Sequence, residues 1–461
     1  MNWRTIKFIF TNGDMRKRVF AVLGMILVFR FLSHVPIPLG EPQQLRQLLD
    51  NLFNGQQLFG FINLLSGGAL ANFSIMLMGL GPYINASIIM QLLSKAIPKL
   101  ETLNNEGETG RRKINQYTRM LTLPLAIVQS IGIIFLLRQT ASAQAGIDIT
   151  QGAGVIQWVL MVSALTGASI MLMWLGELVS EQGVGNGISL LIFAGIVSSL
   201  PSTAALIIKS IFVKDAKLTL FGATLPVSGR SLAIGLAFLV ATIAISYIIV
   251  KLNEAQRTIT ISYAKRVSGN QAYGGVDSIL PVKLIAAGVV PIIFAVAFLS
   301  LPAFIGQLLQ NGSKPWMQEW GPKLLTWFQS PTGGTPSTGR AALIYPIAYF
   351  LLVVAFTFFY TSITFNTKEI AENLQKQGGF IPGVRPGSAT EAYLGKIVSR
   401  LTLFGSLALG LLALLPIVVE RILGTNQLAL SGTGVLIVIS VALETLRQIE
   451  SRALMISYDN Y

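Results

Sequence analysis

Apolar residues gather along this chain in stretches of about twenty, separated by shorter polar segments. Ten such stretches are legible, near residues 19–39, 74–94, 117–137, 155–176, 187–208, 231–250, 284–305, 341–365, 399–419 and 430–449. A helix needs about 20 mostly apolar residues to cross roughly 30 Å of hydrocarbon, and a barrel strand needs only about 10. The pattern therefore predicts an all-α membrane protein of ten transmembrane helices. Residues 1–18 are basic, but the run after them is long and lacks a small-residue cleavage site, so it is expected to stay as the first span.

Composition narrows the classes further. Charged residues are 12% of the 461, about half the usual soluble share of roughly a quarter. Hydrophobic residues are 52% and the mean hydropathy is +0.64, which argues against a soluble globular enzyme. With no cysteine, thiolate zinc sites, iron–sulfur clusters, a disulfide framework and a cysteine nucleophile are excluded. The lone His34 argues against a histidine-rich metal site or a histidine relay, and no cofactor is expected.

The net charge of +14 is unevenly placed. With a cytoplasmic N-terminus, 23 of the 34 Lys and Arg fall on the cytoplasmic side, so both termini are expected there. Lys209, Lys214, Lys217 and Arg230 are the contrary signal. The expected organisation is a basic terminus at 1–18, a first half at 19–208 and an external linker at 209–230. A second half at 231–449 and a cytoplasmic tail at 450–461 complete it.

Two long connections lie on the basic side, at 251–283 and 366–398. The first holds "EAQRTITISYAKRV", whose alternation of polar and β-prone residues predicts a short projecting hairpin. The second is rich in Gly and Pro, predicting a fixed turn that presents Arg385. Such loops either are simply solvated or dock a large acidic partner. RNA suits the second reading, because phosphates supply much of the binding energy to a basic loop.

Several long, ordered stretches resemble the SecY/Sec61-alpha family, the channel-forming subunits of Sec protein translocases. They are "SGGALANFSIMLMGLGPYINASIIMQLL" (66–93), "GETGRRKINQYTR" (107–119) and "WLGELVSEQGVGNGISLLIFAGIVSSLP" (174–201). To these add "YAKR" (263–266), "LPVKLIAAGVVPIIFA" (280–295), "GFIPGVRPG" (379–387) and "GTGVLIVISVALETLRQIE" (432–450).

The resemblance implies two pseudo-symmetric inverted five-helix halves around an hourglass pore. It implies a gated channel that moves unfolded polypeptides across the membrane and releases transmembrane segments sideways into lipid. The family's pore ring falls on Leu80, Ile84, Ile188, Ile192, Ile293 and Ile437. An apolar waist excludes ions without reading the sequence of a moving chain. The plug falls within 61–73, on Phe61, Ile62, Leu64, Leu65, Ser66, Gly67, Gly68, Ala69 and Leu70.

The lateral gate implied between spans two and seven takes Asn85, Gln91 and Gln129 as polar candidates. Ile285 and Ala286 stand where the family commonly has Asn and Gln, so a more apolar gate is expected, with a shifted threshold for weakly hydrophobic signals. Arg257, Lys265, Arg266 and Arg385 are the expected docking residues for a SecA motor ATPase or a ribosome with its rRNA. SecE-like and SecG-like subunits, clients with signal sequences and the lipid bilayer are the other implied partners. The implied location is the bacterial inner membrane or a thylakoid membrane.

"GVGNG" (183–187) echoes a nucleotide loop but follows a span rather than a strand, so it reads as a tight turn. The chain has no GxxxxGK[ST] and cannot supply its own ATPase. A secondary transporter would share the hydropathy but needs intramembrane carboxylates, and an intramembrane protease needs a Ser/His or Asp pair. Both remain alternatives here.

Overall fold

The computed structural model describes residues 12–37, 66, 68–69, 73–145, 154–211, 218–220, 223–225, 229–263, 266–268, 271–273, 277–310, 314–328, 343–423 and 429–459. Among them a helix covers all or part of each of the ten apolar stretches. In chain order these are α1 (Gly13–Leu32), α2 (Gly81–Ala96), the short α3 (Pro98–Asn105), α4 (Glu108–Ala145), α5 (Val155–Glu181) and α6 (Gly187–Ile211). They continue as α7 (Gly229–Glu254), α8 (Val290–Gln310), α9 (Pro315–Phe328), α10 (Ile344–Thr364), α11 (Thr367–Lys376), α12 (Ser388–Leu423) and α13 (Ala429–Asp459). Six helical stretches among the described residues are long and apolar enough to cross a membrane.

Two expected spans start later than the hydropathy suggests. Residues 75–80 and 284–289 are turns and bends, and the helices begin at Gly81 and Val290. The cause is local. Gly79 and Gly288 adopt left-handed backbone, with φ of 54° and 61°, and a proline follows three residues later at Pro82 and Pro291. Proline suits a helix's first turn but blocks its interior. At 16 residues α2 is only about 24 Å long, short of the hydrocarbon thickness.

The helices pack in two groups. In the first, α1 lies on α5 and α6, α2 on α4 and α5, and α4–α5–α6 pack in sequence. In the second, α8 lies on α10, α10 on α12, and α7 on α12 and α13. The groups meet at two places, α2 and α4 against α8, and α6 against α7 and α13. One large apolar core runs through both groups, and a smaller one joins α4, α5 and residues 73–77. Outward faces expose Leu, Ile, Val, Met and Phe, for example Met120, Val128, Leu239, Ile243 and Phe404.

The all-α expectation needs small β additions. A two-stranded hairpin, β1 (Leu218–Leu220) with β2 (Ala223–Leu225), sits in the 209–230 linker. Between α7 and α8 come β3 (Gln256–Tyr263), β4 (Arg266–Ser268), β5 (Gln271–Tyr273) and β6 (Asp277–Lys283). β3 pairs antiparallel with β6, from Gln256↔Lys283 to Ser262↔Asp277, and β4 pairs with β5 as the hairpin's tip. The hairpin expected in the first basic loop is therefore present.

Candidate pore, gate seam and docking platform

The six residues of the expected pore ring come from four helices whose starts are set by local chemistry. Leu80 is the N-cap residue of α2 rather than part of its body, and its carbonyl accepts the Ile84 N–H at 3.0 Å. Ile188 and Ile192 lie in the first two turns of α6. Asn186 caps that helix, its Oδ1 accepting from the Ile188 and Ser189 amides at 3.1 and 3.3 Å. Ile293 is in the first turn of α8, and Ile437 lies within α13.

Leu80, Ile84, Ile192, Ile293 and Ile437 are all buried members of the large core, and Ile188 packs against it. All six thus belong to, or pack against, the one apolar core that runs through both helix groups. Sequence reading found these positions through family likeness. It missed a signal within the chain itself: Gly79-x-x-Pro82-x-Ile84 recurs as Gly288-x-x-Pro291-x-Ile293. Each copy builds a glycine turn, a proline at the helix entry and an isoleucine in the cluster.

Of the expected plug, Ser66, Gly68 and Ala69 are described, whereas Phe61, Ile62, Leu64, Leu65, Gly67 and Leu70 lie outside the described residues. Ser66 and Ala69 are fully buried, and Ala69 belongs to the same core as the ring residues. The following segment is tied to the end of α1. Ser74 Oγ donates to the Leu32 carbonyl at 2.8 Å, the Ile75 amide to Val35 at 3.0 Å, and the Ile37 amide to Phe73 at 2.8 Å. Phe73 has φ of 44°, a left-handed conformation that a bulky side chain rarely takes.

At the α2–α4–α8 junction, Asn85 is buried on α2, and Gln91 donates to Ser87 Oγ at 3.0 Å. Gln129 of α4 reaches the start of α2, where its Oε1 would lie 3.9 Å from a methyl group on Gly81. Ile285 is buried in the turn before α8, beside Gly405 of α12.

The two basic loops form one platform. A short strand β7 (Gly379–Phe380) joins the far edge of β3, pairing Ser262 with Phe380 and Tyr263 with Gly379. The fit at Gly379 is tight, since a methyl group on it would meet the Tyr263 ring at 3.0 Å and Ile261 at 3.3 Å. Ile259, Val282, Ile381, Leu394 and Ile397 make a separate small core beneath the sheet. The alternation at Ile259 and Ile261 announced a buried face, but apart from Val282 on the paired strand its core partners Ile381, Leu394 and Ile397 lie more than 100 residues away and were not legible locally.

Arg257 and Arg385 are both exposed on this platform, together with Ile279 and Phe380. Arg385 sits in a turn framed by Gly383 and Gly387, both left-handed, and its carbonyl accepts from Thr390 Oγ1 at 2.9 Å. Lys265 lies outside the described residues, and Arg266 opens β4.

The platform is anchored to α13 by a polar cluster that sequence reading did not single out. Arg447 donates to the Asn253 carbonyl at 2.9 Å, and Asn253 Nδ2 donates to Ser440 Oγ at 3.2 Å. Glu444 faces the Gly288 turn, and burial, then the Arg447 charge, lowers the Lys283 ammonium from its ordinary value while Glu444 opposes the shift. Arg447 caps the last turn of α7, where unpaired carbonyls favour a cation. Arg447→Ala should cost about 1.5–3 kcal/mol locally, as for a charged hydrogen bond. Hydrogen exchange should accelerate at residues 250–256 and leave α4 unchanged.

A helical membrane protein with two helix groups sharing one apolar core, and with one platform built from two basic loops, is the class defined so far. The SecY family model matches residues 74–446. The protein translocase subunit SecY of Streptomyces coelicolor is 38% identical over 457 residues, covering 98% of both chains. That of Mycobacterium tuberculosis is 37% identical over 454 residues, covering 97% of both. Among solved structures, a protein-conducting channel aligns with a TM-score of 0.60 at 17% identity, over 93% of this chain and 90% of that one. Sec61 in a canine ribosome–channel complex from the endoplasmic reticulum aligns at 0.57 and 16%, over 93% and 90%. The chain belongs to the SecY family, and it is a multi-pass membrane protein.

Proposed function

We infer that this chain is the central pore-forming subunit of a Sec translocon, a gated channel for unfolded polypeptides with a sideways exit into lipid. The observation that carries the reading is the burial of Leu80, Ile84, Ile192, Ile293 and Ile437, with Ile188 packed on the same core, in the one apolar core that runs through both helix groups. Such a waist holds back water and ions while making no sequence-specific contact with a passing chain. All ten apolar helices cross the membrane in this reading, as two inverted halves, and the repeated Gly-x-x-Pro-x-Ile element supports that plan.

The plug falls within residues 61–73, and its residue Ala69 belongs to the same core. The lateral gate is the seam of α2 and α4 with α8. Its polar contacts are individually weak, around 0.6 kcal/mol in membranes, which suits a seam that opens. The opposite junction, α6 with α7 and α13, is the hinge. Buried Ile285 makes the gate's entry turn more apolar.

Energy comes from partners. A SecA-type motor or a ribosome docks on the platform through Arg257, Lys265, Arg266 and Arg385, with SecE-like and SecG-like subunits completing the complex. Both termini lie with the platform on the cytoplasmic side of the bacterial inner or thylakoid membrane. Arg385→Glu should weaken ribosome binding and reduce the slope of affinity against salt by about one, as expected for loss of one phosphate contact.

The direct test is a cysteine introduced at Ile84, with a stalled secretory chain carrying one cysteine. The sequence has no native thiol to compete. A crosslink that forms only with motor or ribosome present supports a polypeptide path through the cluster. Its absence with an engaged chain would return the transporter reading.

A further inference from the structure

The seam of α2 and α4 with α8 has a second level, away from the pore ring. Phe304 lies eleven residues beyond Ile293, about 17 Å farther along α8 from the platform. There a single aromatic ring fills a single notch. Gly132 is buried on α4, and the tip of the Phe304 ring occupies the place of its missing side chain. A methyl group on Gly132 would overlap the Phe304 Cζ and lie 3.0 Å from its Cε1. Cζ sits on the axis about which the ring spins, so spinning the ring cannot clear it. Long side chains in a helix are held to two χ1 wells, and only a change of well withdraws the ring. The contact is therefore either made or lost.

Two features of α8 frame this contact. Pro302 has no N–H for the Phe298 carbonyl, so the helical ladder is interrupted just before Phe304. Beyond that break, α9 folds back along the last turns of α8. A methyl group on Gly321 would meet the Gln310 backbone at 2.6 Å, and one on Gly306 would meet Leu324 Cβ at 2.8 Å. Phe304 and Gly306 are two residues apart, about 200° around the helix, so α4 and α9 hold opposite faces of the same turn.

We propose that Phe304, seated in the Gly132 notch, latches the outer level of the gate and helps determine which client segments the channel accepts. This rests on the reading of the seam as a lateral gate. A segment that parts α4 from α8 must first draw the ring from its notch and lose that packing. A strongly apolar segment recovers the loss by burying its surface in lipid, and a weakly apolar one does not. The interruption at Pro302 lets the outer turns, braced by α9, swing while Ile293 stays in the core.

The test uses the whole translocon in phosphatidylcholine and phosphatidylglycerol vesicles. Spin labels at Ile131→Cys and Ile305→Cys, both exposed positions, read the α4–α8 distance at rest. Gly132→Ala should widen it, and Phe304→Ala added to Gly132→Ala should bring it back, because a smaller side chain then meets a filled notch. Two merely destabilising changes would add instead of compensating. Export of a secretory chain whose signal core carries leucine-to-serine changes should rise roughly fivefold or more with Gly132→Ala and fall back in the double variant. A resting distance that Gly132→Ala leaves unmoved, or a double variant wider than the single one, overturns the latch. A wider distance with unchanged export of the weakened client overturns the role in selection. If a stalled client with an intact signal fails to widen the pair in the otherwise unaltered channel, the gate reading falls, while the resting distances still judge the notch contact.

Discussion

Ile192→Asn is expected to turn the resting channel into an ion leak. Ile192 is 1% exposed and shares one apolar core with the other ring positions. A carboxamide left without partners among aliphatic side chains costs about 2–7 kcal/mol, and it recovers most of that cost by holding water. A waist kept shut by dewetting then acquires a stable water site at its narrowest level. Since about 1.4 kcal/mol corresponds to tenfold in a population, the resting conductance should rise by roughly tenfold or more. Ile192→Val removes one methylene, at about 0.5–1.5 kcal/mol, and should leave the channel shut. Potassium efflux from vesicles with no client present measures both. A tight Ile192→Asn channel, with protein confirmed in the membrane, would contradict a dewetted waist.

The second large effect separates two glycines of one helix. In α12 a methyl group on Gly405 would overlap the Leu284 carbonyl, the first residue of the turn that leads into α8. That on Gly395 would meet nothing within 4 Å. Gly405→Ala must therefore push α12 away from the turn, at about 1–3 kcal/mol or more. Gly395→Ala lowers the helix's entropy cost by up to about 1 kcal/mol. In thermal unfolding of the purified complex, Gly405→Ala should melt well below the parent and Gly395→Ala at or slightly above it. The reverse order would mean that α12 does not touch the entry turn of α8.

Much of this architecture was legible because membrane helices declare themselves by length. The positions of α4, α5, α7 and α12 follow from hydropathy alone. The errors lie where single residues override an apolar average. Ile75 to Leu80 are as apolar as a span, yet Gly79 with Pro82 unwinds them, and Gly288 with Pro291 does the same before α8. The proposed ring residues were nameable only by resemblance, since Ile84 and Ile293 look like dozens of other aliphatics in so apolar a chain. The polar cluster of Asn253, Glu444 and Arg447 was missed because its members are brought together by packing rather than by spacing. So was the union of the two basic loops, whose shared core joins Ile259 to Ile381 and Leu394.

That union bears on how the protein is made. β3 and β6 can pair as soon as residue 283 has been synthesised, but the edge strand at Gly379–Phe380 comes almost a hundred residues later, after α8 and α10. Arg385 follows it. A nascent chain halted or misinserted before that point carries Arg257 on an incomplete sheet and no second arginine. Under the docking role proposed above, a partner that needs both loops would engage only chains synthesised past α8 and α10, so the order of translation would serve as an assembly checkpoint.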